Sequence, residues 1–279
     1  MRDPDDRAEE RKVTTTADFG AFDREVIVFG GAVSNAHALS ALLDVAGGSP
    51  MISTGDAVAY CGDPAGAVDL HRRHGTPTIK GNCEESLAAG AGDCGCGFSP
   101  GSVCDILSVA WYAHADKAMT AEDRNWMAGL PSFATFQAFG RRWGVLHGGA
   151  TETARFLWPT SPEAAFAEEI AALEAVTGPV DAVLSGHCGL PFQRQVAGRL
   201  WLNSGALGMP PNDGDPRTSY AVIGPDGPRI ERLAYDHAGA AATMREAGLV
   251  QGYHQTLETG WWPSEDVLPP ELRRVVEPA

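Results

Sequence analysis

Short apolar runs alternate with stretches of helical apolar spacing along the first third of the chain. Strands are predicted at 25–29, 50–54 and 76–80, and helices at 35–46 and 64–74. The second of these helices begins at a proline and ends before a glycine, as helices commonly do. Strands that alternate with helices in this way predict βαβ units and a parallel sheet.

The pattern changes after Pro131, where short strands follow one another with few helices between them. Further strands are predicted at 134–139, 142–146, 181–184, 192–196, 198–202, 219–223 and 229–233. Further helices are predicted at 103–118, 121–130 and 161–176. The second half is therefore expected to be richer in antiparallel pairs. An α/β fold with a sandwich of two sheets, flanked by helices, accommodates both halves.

Three stretches fall outside this pattern and suggest how the chain is organised. Residues 1–24 are polar and charged, which predicts a loose N-terminal leader before a domain at 25–235. Residues 84–104 are rich in glycine and cysteine and too long for an ordinary connection, so we expect a lid beside the site. Residues 236–279 predict a helical extension, and the Trp261–Trp262 pair is expected to anchor its tail rather than stack on a base.

Composition narrows the range of partners and locations. The formal charge of −15 on 279 residues argues against a nucleic-acid backbone or an anionic membrane as the main partner. The chain shows no secretory apolar segment and no apolar run of membrane-spanning length, so a cytoplasmic location is expected. The six cysteines include no C-x-x-C pair, which argues against a zinc ribbon or a thioredoxin-like motif. In the cytoplasm their thiols are expected to be reduced. A small phosphorylated substrate stays compatible with this charge, and a homo-oligomer is left open.

Five short polar motifs each follow an apolar run. They lie at 30–35, 55–56, 81–84, 147–149 and 186–189. In open α/β sheets, ligand sites lie where strands end, and strand ends of one sheet share one edge. We therefore expect these five loops to meet around a single site.

The order of the motifs resembles the calcineurin-like metallophosphoesterase superfamily, whose pattern is D-x-H, G-D, G-N-H-[DE], H-G and G-H-x-H. The matching pairs are Gly55-Asp56, Gly81-Asn82, His147-Gly148 and Gly186-His187. Similar stretches at 203–206 and 214–220 extend the resemblance over 25–233. The resemblance implies a four-layer α-β-β-α sandwich of two mixed sheets. It also implies hydrolysis of a small phosphomonoester or phosphodiester through a metal-bound water.

The sequence departs from the family pattern at three motifs. Gly31 and Val33 stand in place of the aspartate and histidine of D-x-H. Cys83 replaces the histidine after the asparagine, and Gly189 replaces the last histidine of G-H-x-H. In the family, two metals share a bridging aspartate. The resemblance therefore implies that one metal site has lost every ligand here except Asp56.

The other metal site is implied to be intact. Its ligands would be Asp56, Asn82, His147 and His187. A carboxylate, an amide oxygen and two imidazoles suit a divalent ion such as Mn, Fe or Zn, and one or two ions are expected. Each residue alone is more simply a turn residue or a histidine bonded to backbone. The four together, in family order, favour the metal.

Two cysteines are candidates for replacing the missing ligands. Cys83 and Cys188 lie on the same predicted rim, and thiolates there would favour softer ions such as Zn or Fe. The alternative is that both are small buried residues without chemical function. Cys83 also stands where the family has the histidine implied to protonate the leaving group. Cys83, Asn82 and His147 are therefore the catalytic candidates, and Asn82 is also implied to contact the phosphate.

Other residues are weaker candidates. Asn35 and Arg217 are candidates for substrate binding, although Arg217 is first of all a turn residue. His37 is expected on a solvated helix face. The cysteines at 94, 96 and 104 could form a metal clip or a redox pair, but a structural lid is favoured.

The sequence leads to two hypotheses of different classes. The first is a metal-dependent phosphoesterase. The second is a family member that has lost hydrolysis and binds a metal or small molecule, which the missing ligands favour. Chemistry other than phosphate hydrolysis at a thiol-bearing metal is a third.

Overall fold

The computed structural model describes residues 14–274. Within them the strands are β1 (Thr16–Phe22), β2 (Val26–Phe29), β3 (Met51–Ser53), β4 (Phe133–Ala138), β5 (Arg141–Val145), β6 (Ala182–Ser185), β7 (Pro191–Val196), β8 (Arg199–Ser204), β9 (Thr218–Gly224) and β10 (Gly227–Leu233). The helices are α1 (Ala36–Ala46), α2 (Pro64–His74), α3 (Asn82–Ala89), α4 (Val103–Ala118), α5 (Ala121–Gly129), α6 (Glu163–Thr177), α7 (His237–Glu246) and α8 (Tyr253–Thr259). A 3₁₀ turn follows at Pro270–Leu272.

The strands form two mixed sheets. The larger has the order β1-β4-β5-β6-β8-β7, and the smaller has the order β10-β9-β2-β3. Parallel pairs occur in both, at β2–β3 in the smaller sheet and at β1–β4, β5–β6 and β6–β8 in the larger. The remaining pairs are antiparallel. The predicted α/β fold with two mixed sheets is confirmed.

The apolar side chains form separate clusters between the two sheets and between each sheet and the helices outside it. In β2, Val26 and Val28 face the space between the two sheets, whereas Ile27 and Phe29 pack against the α1 side. A strand buried on both faces needs a continuous apolar run, which is what 26–29 provides. On the far side of the larger sheet, α6 packs through Phe166 and other apolar residues. The result is the expected α-β-β-α order of layers.

Local capping signals set the ends of the early helices. The Asn35 side chain accepts the backbone N–H of Ala38, so α1 begins one residue later than predicted, with Asn35 as its cap. Asp63 caps α2 in the same way, and Gly75 ends it in the left-handed conformation that glycine adopts readily. The predicted bounds of α2 are confirmed.

The prediction of a loose leader over 1–24 is wrong for its second half. Thr16–Phe22 forms β1, which pairs in parallel with β4. Phe19 and Phe22 pack onto the core between the sheets. The partner strand is distant in sequence, and polar residues separate the apolar residues of β1. No continuous apolar run was therefore present to predict this strand. Residues 1–13 of the predicted leader lie outside the described part of the chain.

The predicted strand at 76–80 is reduced to a single bridge, between Thr78 and Ser53 of β3. Pro77 has no backbone N–H to donate and contributes only its carbonyl oxygen, which accepts from Ser53. The segment nevertheless runs beside β3, because the Ile79 N–H donates to the Ser53 carbonyl. Gly81 and the site residues after it are therefore delivered to the expected edge.

The predicted lid at 84–104 begins with helix rather than loop. Glu84 and Glu85 lie in the first turn of α3, where acidic side chains are favourable, and Gly90 ends the helix. Only residues 90–102 are irregular. Cys94 and Cys96 meet across Gly95, with their sulfur atoms paired. The other four cysteines are free and buried.

The C-terminal part adds two helices to the outside of the domain. Helix α7 packs against α1 and α8, and buries Ala241 and Met244, while α8 buries Leu257. Residues 275–279 of the predicted extension lie outside the described chain, and the domain boundary at 235 stays a prediction. Between residues 14 and 274, no helix is both long enough and apolar enough to cross a membrane.

Stability should fall on acidification because of His71, which is buried on α2 between Phe29 and Trp126. Neither ring nitrogen has a hydrogen-bond partner among the described residues, and burial lowers the pKa of His71 from 6.5 to about 4. The unfolded chain therefore binds a proton first as the pH falls, and stability present above pH 6.5 is lost towards pH 4. The expected loss from His71 is about 2 kcal/mol on going from about pH 7.5 to about pH 5.

Denaturant unfolding of the wild type and of His71→Leu at the two pH values tests this expectation. The variant should lose about 2 kcal/mol less than the wild type over this pH interval. The matched control is His74→Leu, which changes an exposed histidine of the same helix. Equal pH dependence in the wild type and His71→Leu would contradict the prediction.

Candidate metal centre

Three side chains from the two sheets meet at one edge of the sandwich. Asp56 follows β3 of the smaller sheet, whereas His147 follows β5 and His187 follows β6 of the larger. Their ligand atoms all lie within 4.8 Å of one another. Asp56 Oδ2 is 3.2 Å from His147 Nε2, and the two imidazole centroids are 5.1 Å apart. Among residues 14–274, this is the one such group of histidine, cysteine and acidic side chains.

The other predicted loops join the same edge. The Val33 N–H donates to the Asp56 carbonyl at 2.9 Å, which ties the first motif to the second. The Gly186 N–H donates to the His147 carbonyl at 2.7 Å, which ties the fourth motif to the fifth. Asn82, at the start of α3, reaches His147 with its side chain. All five loops therefore meet, as their positions after strands suggested.

The orientation of His147 follows from its hydrogen bonds. His147 Nδ1 is 2.6 Å from the Thr54 carbonyl oxygen, which can only accept, so Nδ1 carries a hydrogen. Nε2 then faces Asp56 Oδ2 at 3.2 Å and Asn82 Oδ1 at 3.1 Å. The Asn82 amide nitrogen donates to the Cys94 carbonyl at 2.9 Å, which turns its oxygen towards His147.

Three atoms that carry lone pairs thus face one another at the centre of the site, and a cation or a proton must lie among them. Burial alone lowers the pKa of His147, but the Asp56 carboxylate, the Thr54 carbonyl and Glu84 raise it to about 9. Burial alone raises the pKa of Asp56, yet His147 and His187 hold it below its usual value. The site therefore favours positive charge at its centre.

His187 contributes a nitrogen that the protein leaves without a partner. Its Nε2 is buried and makes no hydrogen bond among the described residues. Burial, helped by the charge of His147, lowers the pKa of His187 to about 3, so the ring is neutral and its lone pair is available. A buried polar atom without a partner is costly, and a metal ion in contact with it removes that cost. The donor set fits a divalent cation.

Two of these residues have strained backbones. Asp56 has φ of 55° and His187 has φ of 65°, both in the left-handed region that residues other than glycine rarely adopt. Such strain costs on the order of 1–3 kcal/mol per residue and is found mainly at functional sites. The fold therefore holds these two residues in less stable backbone conformations, and these conformations direct both side chains towards a common point.

Glu84 supports the site from behind, and the sequence analysis did not assign it a function. Its buried carboxylate accepts the backbone N–H groups of Asp56, Ala57 and Gly81, at 2.8, 2.8 and 2.9 Å. Burial and the nearby Asp56 charge raise the pKa of Glu84 to about 7, against the lowering effect of these donors. The available signal was an acidic residue at the third helical position after Gly81, a capping arrangement.

With this geometry in place, comparison with known proteins places the chain in a family. Residues 31–226 match the profile of the calcineurin-like phosphoesterase superfamily domain. The chain belongs to the calcineurin-like phosphoesterase superfamily. No curated protein matches this chain.

Two solved structures share the calcineurin-like phosphoesterase fold with this chain. A metallophosphoesterase from Sphaerobacter thermophilus is 24% identical with a TM-score of 0.64, and the match covers 86% of this chain and 100% of that one. The hypothetical protein PH1004 from Pyrococcus horikoshii OT3 is 13% identical with a TM-score of 0.68, and the match covers 86% of this chain and 98% of that one. The second structure shares the fold although only 13% of the aligned residues are identical.

Gly31 and Val33 occupy the positions of the aspartate and histidine of the family's D-x-H motif, and position 31 is tightly packed. A Cβ atom built on Gly31 would lie 3.1 Å from Asp56 Cβ and 2.8 Å from Val33 Cγ1. Both contacts are tighter than real Cβ atoms normally make, so a longer side chain at 31 would push against Asp56. The chain around position 31 is thus packed for a glycine and not for an aspartate.

The two cysteines predicted near the site occupy different places. The Cys83 thiol is fully buried beside Asp56, while its backbone N–H donates to Asp56 Oδ1 at 3.2 Å. The Cys188 sulfur lies 3.3 Å from Asn203 Nδ2. Burial raises the pKa of Cys83 well above its ordinary value and that of Cys188 to about 12, so both thiols are neutral. Neither belongs to the group of three ligand atoms.

The residues predicted to bind substrate contact protein groups in the structure, and neither is among the residues that line the cavity at the three ligands. Asn35 is committed to capping α1 and to bonds with the Gly208 carbonyl and the Tyr235 hydroxyl. Arg217 is exposed and paired with Asp215, whose pKa this contact holds at about 2. His37, expected on a solvated helix face, is instead half-buried against α7, with Nε2 3.4 Å from Thr243 Oγ1 and Nδ1 3.7 Å from Asp236 Oδ2.

A cavity of about 750 Å³, its open mouth included, begins at the metal centre. Asp56 and His187 lie at its inner end, and Cys188 is part of its wall. The irregular loop after α3 lines it through Cys96 and Phe98, so this loop does shape the pocket. Cys104 also faces the cavity, at the start of α4.

Proposed function

We propose that this chain is a metal-dependent phosphoesterase that hydrolyses a small phosphomonoester or phosphodiester. The observation that carries the proposal is the convergence of lone pairs from Asp56, Asn82 and His147, beside the unpartnered nitrogen of His187. The mixture of carboxylate, amide and imidazole ligands suits Mn, Fe or Zn. Membership of a phosphoesterase family supports the reaction class.

Each residue has a defined part in this proposal. Asp56, Asn82, His147 and His187 would hold the cation, which supplies Lewis-acid chemistry to a phosphoryl oxygen and acidifies water. The Thr54 carbonyl holds His147 in the tautomer that leaves Nε2 free for the cation. The position of Asn82, with its oxygen facing inwards, is compatible with the phosphate contact predicted for it.

We assign Cys83 to positioning Asp56 rather than to protonating the leaving group. Its thiol is fully buried, and the residues that line the cavity do not include it. A proton donor must reach the leaving oxygen within hydrogen-bond distance, and substrate enters from the cavity. Both the thiol and the backbone N–H of Cys83 contact the Asp56 side chain instead.

We expect one divalent ion per chain. Gly31 and Val33 offer no side-chain donor to a second ion, and neither the Cys83 nor the Cys188 sulfur belongs to the group of ligand atoms formed by Asp56, His147 and His187. Metal analysis after loading with Mn, Fe or Zn and removal of free ions should give about one equivalent. The same value is expected for Cys83→Ser and Cys188→Ser. Two equivalents in the wild type, falling to one in either variant, would show that a thiol has been recruited as a ligand.

The second candidate function is a non-hydrolytic member that binds a metal or small molecule. The tight packing of Gly31 against Asp56 favours this candidate, because position 31 supplies no ligand for a second ion. In two-metal sites the ions stabilise both the attacking and the leaving oxygen, and a single ion does not clamp both. Release of 4-nitrophenol from mono- and bis-(4-nitrophenyl) phosphate, tested with Mn, Fe, Zn and Co, separates the two. Turnover supports the phosphoesterase, whereas metal binding without turnover supports the binder. The cytoplasmic location and a homo-oligomeric state stay predictions.

A further inference from the structure

We infer that the substrate carries a single phosphate group joined to an uncharged aromatic or similarly apolar alcohol. This inference rests on the proposed function, because it names the substrate class of the same site. It comes from the cavity that opens from the metal centre, whose chemistry differs at its two ends.

The inner end is suited to one anionic group. Asp56 and His187 border it, and the proposed cation lies there. Beyond this end, the residues of the described chain that line the cavity include no lysine and no arginine. Arg155 lies in the loop between β5 and α6, next to Phe156 at the His187 ring, and is bound to Glu168 and Glu169. A second or third phosphate would therefore lie in a cavity without cations, in a chain of formal charge −15.

The outer part of the cavity is aromatic. The Phe156 ring lies 4.2 Å from the His187 ring and stacks on Phe98, with centroids 6.3 Å apart. Tyr60 also lines the cavity and contacts the edge of Tyr253, with centroids 5.0 Å apart. The aromatic surface thus starts at the proposed metal ligand His187, and beyond Asp56 and His187 no charged side chain of the described residues interrupts it. Apolar groups bound in such a cavity are removed from water, which is favourable in proportion to their area.

Trp262 completes this wall and is held firmly in place. Its indole N–H donates to the Pro210 carbonyl at 2.7 Å, and its backbone N–H donates to Asn212 Oδ1 at 2.7 Å. A Cβ on Gly189 would lie 3.2 Å from the indole, so glycine lets the ring rest on the loop after His187. A rigid aromatic wall binds an apolar group with little loss of side-chain entropy.

The test compares esters that differ in the apolar group but not in leaving-group chemistry. With the metal-loaded full chain, kcat/KM for 2-phenylethyl phosphate should exceed that for ethyl phosphate by about 30-fold, which is the order expected for burying one phenyl ring. Trp262→Ala should reduce this ratio by about tenfold, because only the phenyl group reaches the indole. The matched control is Trp261→Ala, whose exposed ring packs on Arg274 and does not line the cavity, and it should keep the wild-type ratio.

Binding separates failure of this inference from failure of the proposed function. If no ester is hydrolysed with any metal, the proposed function fails, and calorimetry with 2-phenylethylphosphonate and ethylphosphonate tests the inference alone. The aromatic phosphonate should bind about 30-fold more tightly to the metal-loaded chain. Hydrolysis of both esters with a ratio near one overturns the inference and leaves the proposed function standing. Equal binding of the two phosphonates also overturns it.

Discussion

Replacing His147 by asparagine is expected to abolish metal binding at micromolar ion concentrations and to reduce hydrolysis by more than about 100-fold. The loss follows from geometry, because Nε2 of His147 faces both Asp56 Oδ2, at 3.2 Å, and Asn82 Oδ1, at 3.1 Å. Even residues that only support metal ligands cost about 10–100-fold when they are changed, so removal of a ligand should cost more. Metal analysis and the rate of 4-nitrophenol release measure the two effects.

Asparagine is chosen so that the loss can be attributed to the metal site. Its amide nitrogen can still donate to the Thr54 carbonyl, as His147 Nδ1 does, and the fold should survive. The matched control is His37→Asn, a half-buried histidine on α1 outside the cluster. A folded His147→Asn protein with one equivalent of metal and the wild-type rate would refute the proposed metal centre.

Replacing Glu84 by glutamine is expected to lower the free energy of unfolding by about 2–4 kcal/mol. The carboxylate accepts three buried backbone N–H groups, whereas a glutamine amide brings two further donors into the same space. At least one backbone donor is then left without an acceptor, which costs about 1–3 kcal/mol. The strained backbone at Asp56 loses its restraint as well, so metal affinity should fall with stability.

Denaturant unfolding and metal titration of Glu84→Gln measure both effects. Glu152→Gln is the matched control, since it makes the same change of charge at an exposed position near the site. A Glu84→Gln protein as stable as this control would show that the three hydrogen bonds contribute little. Loss of stability with unchanged metal affinity would show that Asp56 is held by other contacts.

Features set by neighbouring residues could be predicted well. The bounds of α2 were predicted from Pro64 at its start and Gly75 after its end, because both residues restrict the backbone directly. Strand β2 was predicted because both its faces are buried and its residues form an unbroken apolar run. In contrast, β1 was missed because its partner β4 lies far along the chain and its own residues alternate in polarity.

The candidate site could be predicted in part. The positions after apolar runs predicted that the loops meet, and the resemblance of the ordered motifs to a family implied Asp56, Asn82, His147 and His187 as ligands. The sequence did not indicate that Glu84 holds the Asp56 loop, because its three partners come from separate positions in the chain. It also assigned substrate contact to Asn35 and Arg217, whose partners in the structure are protein groups.

Chemical identity and local order along the chain predicted most strands and helices and the two-sheet fold, since capping, chain reversal and burial of apolar runs depend on adjacent residues. The candidate ligands were implied by the resemblance of the ordered motifs to a family, and their role stays a prediction. The tertiary structure decided how these residues are used. It brought the cavity wall from Phe98, Phe156 and Trp262 to the His187 loop, and it packed Gly31 against Asp56. Such contacts depend on distances between remote segments, which are determined only when the two sheets pack together.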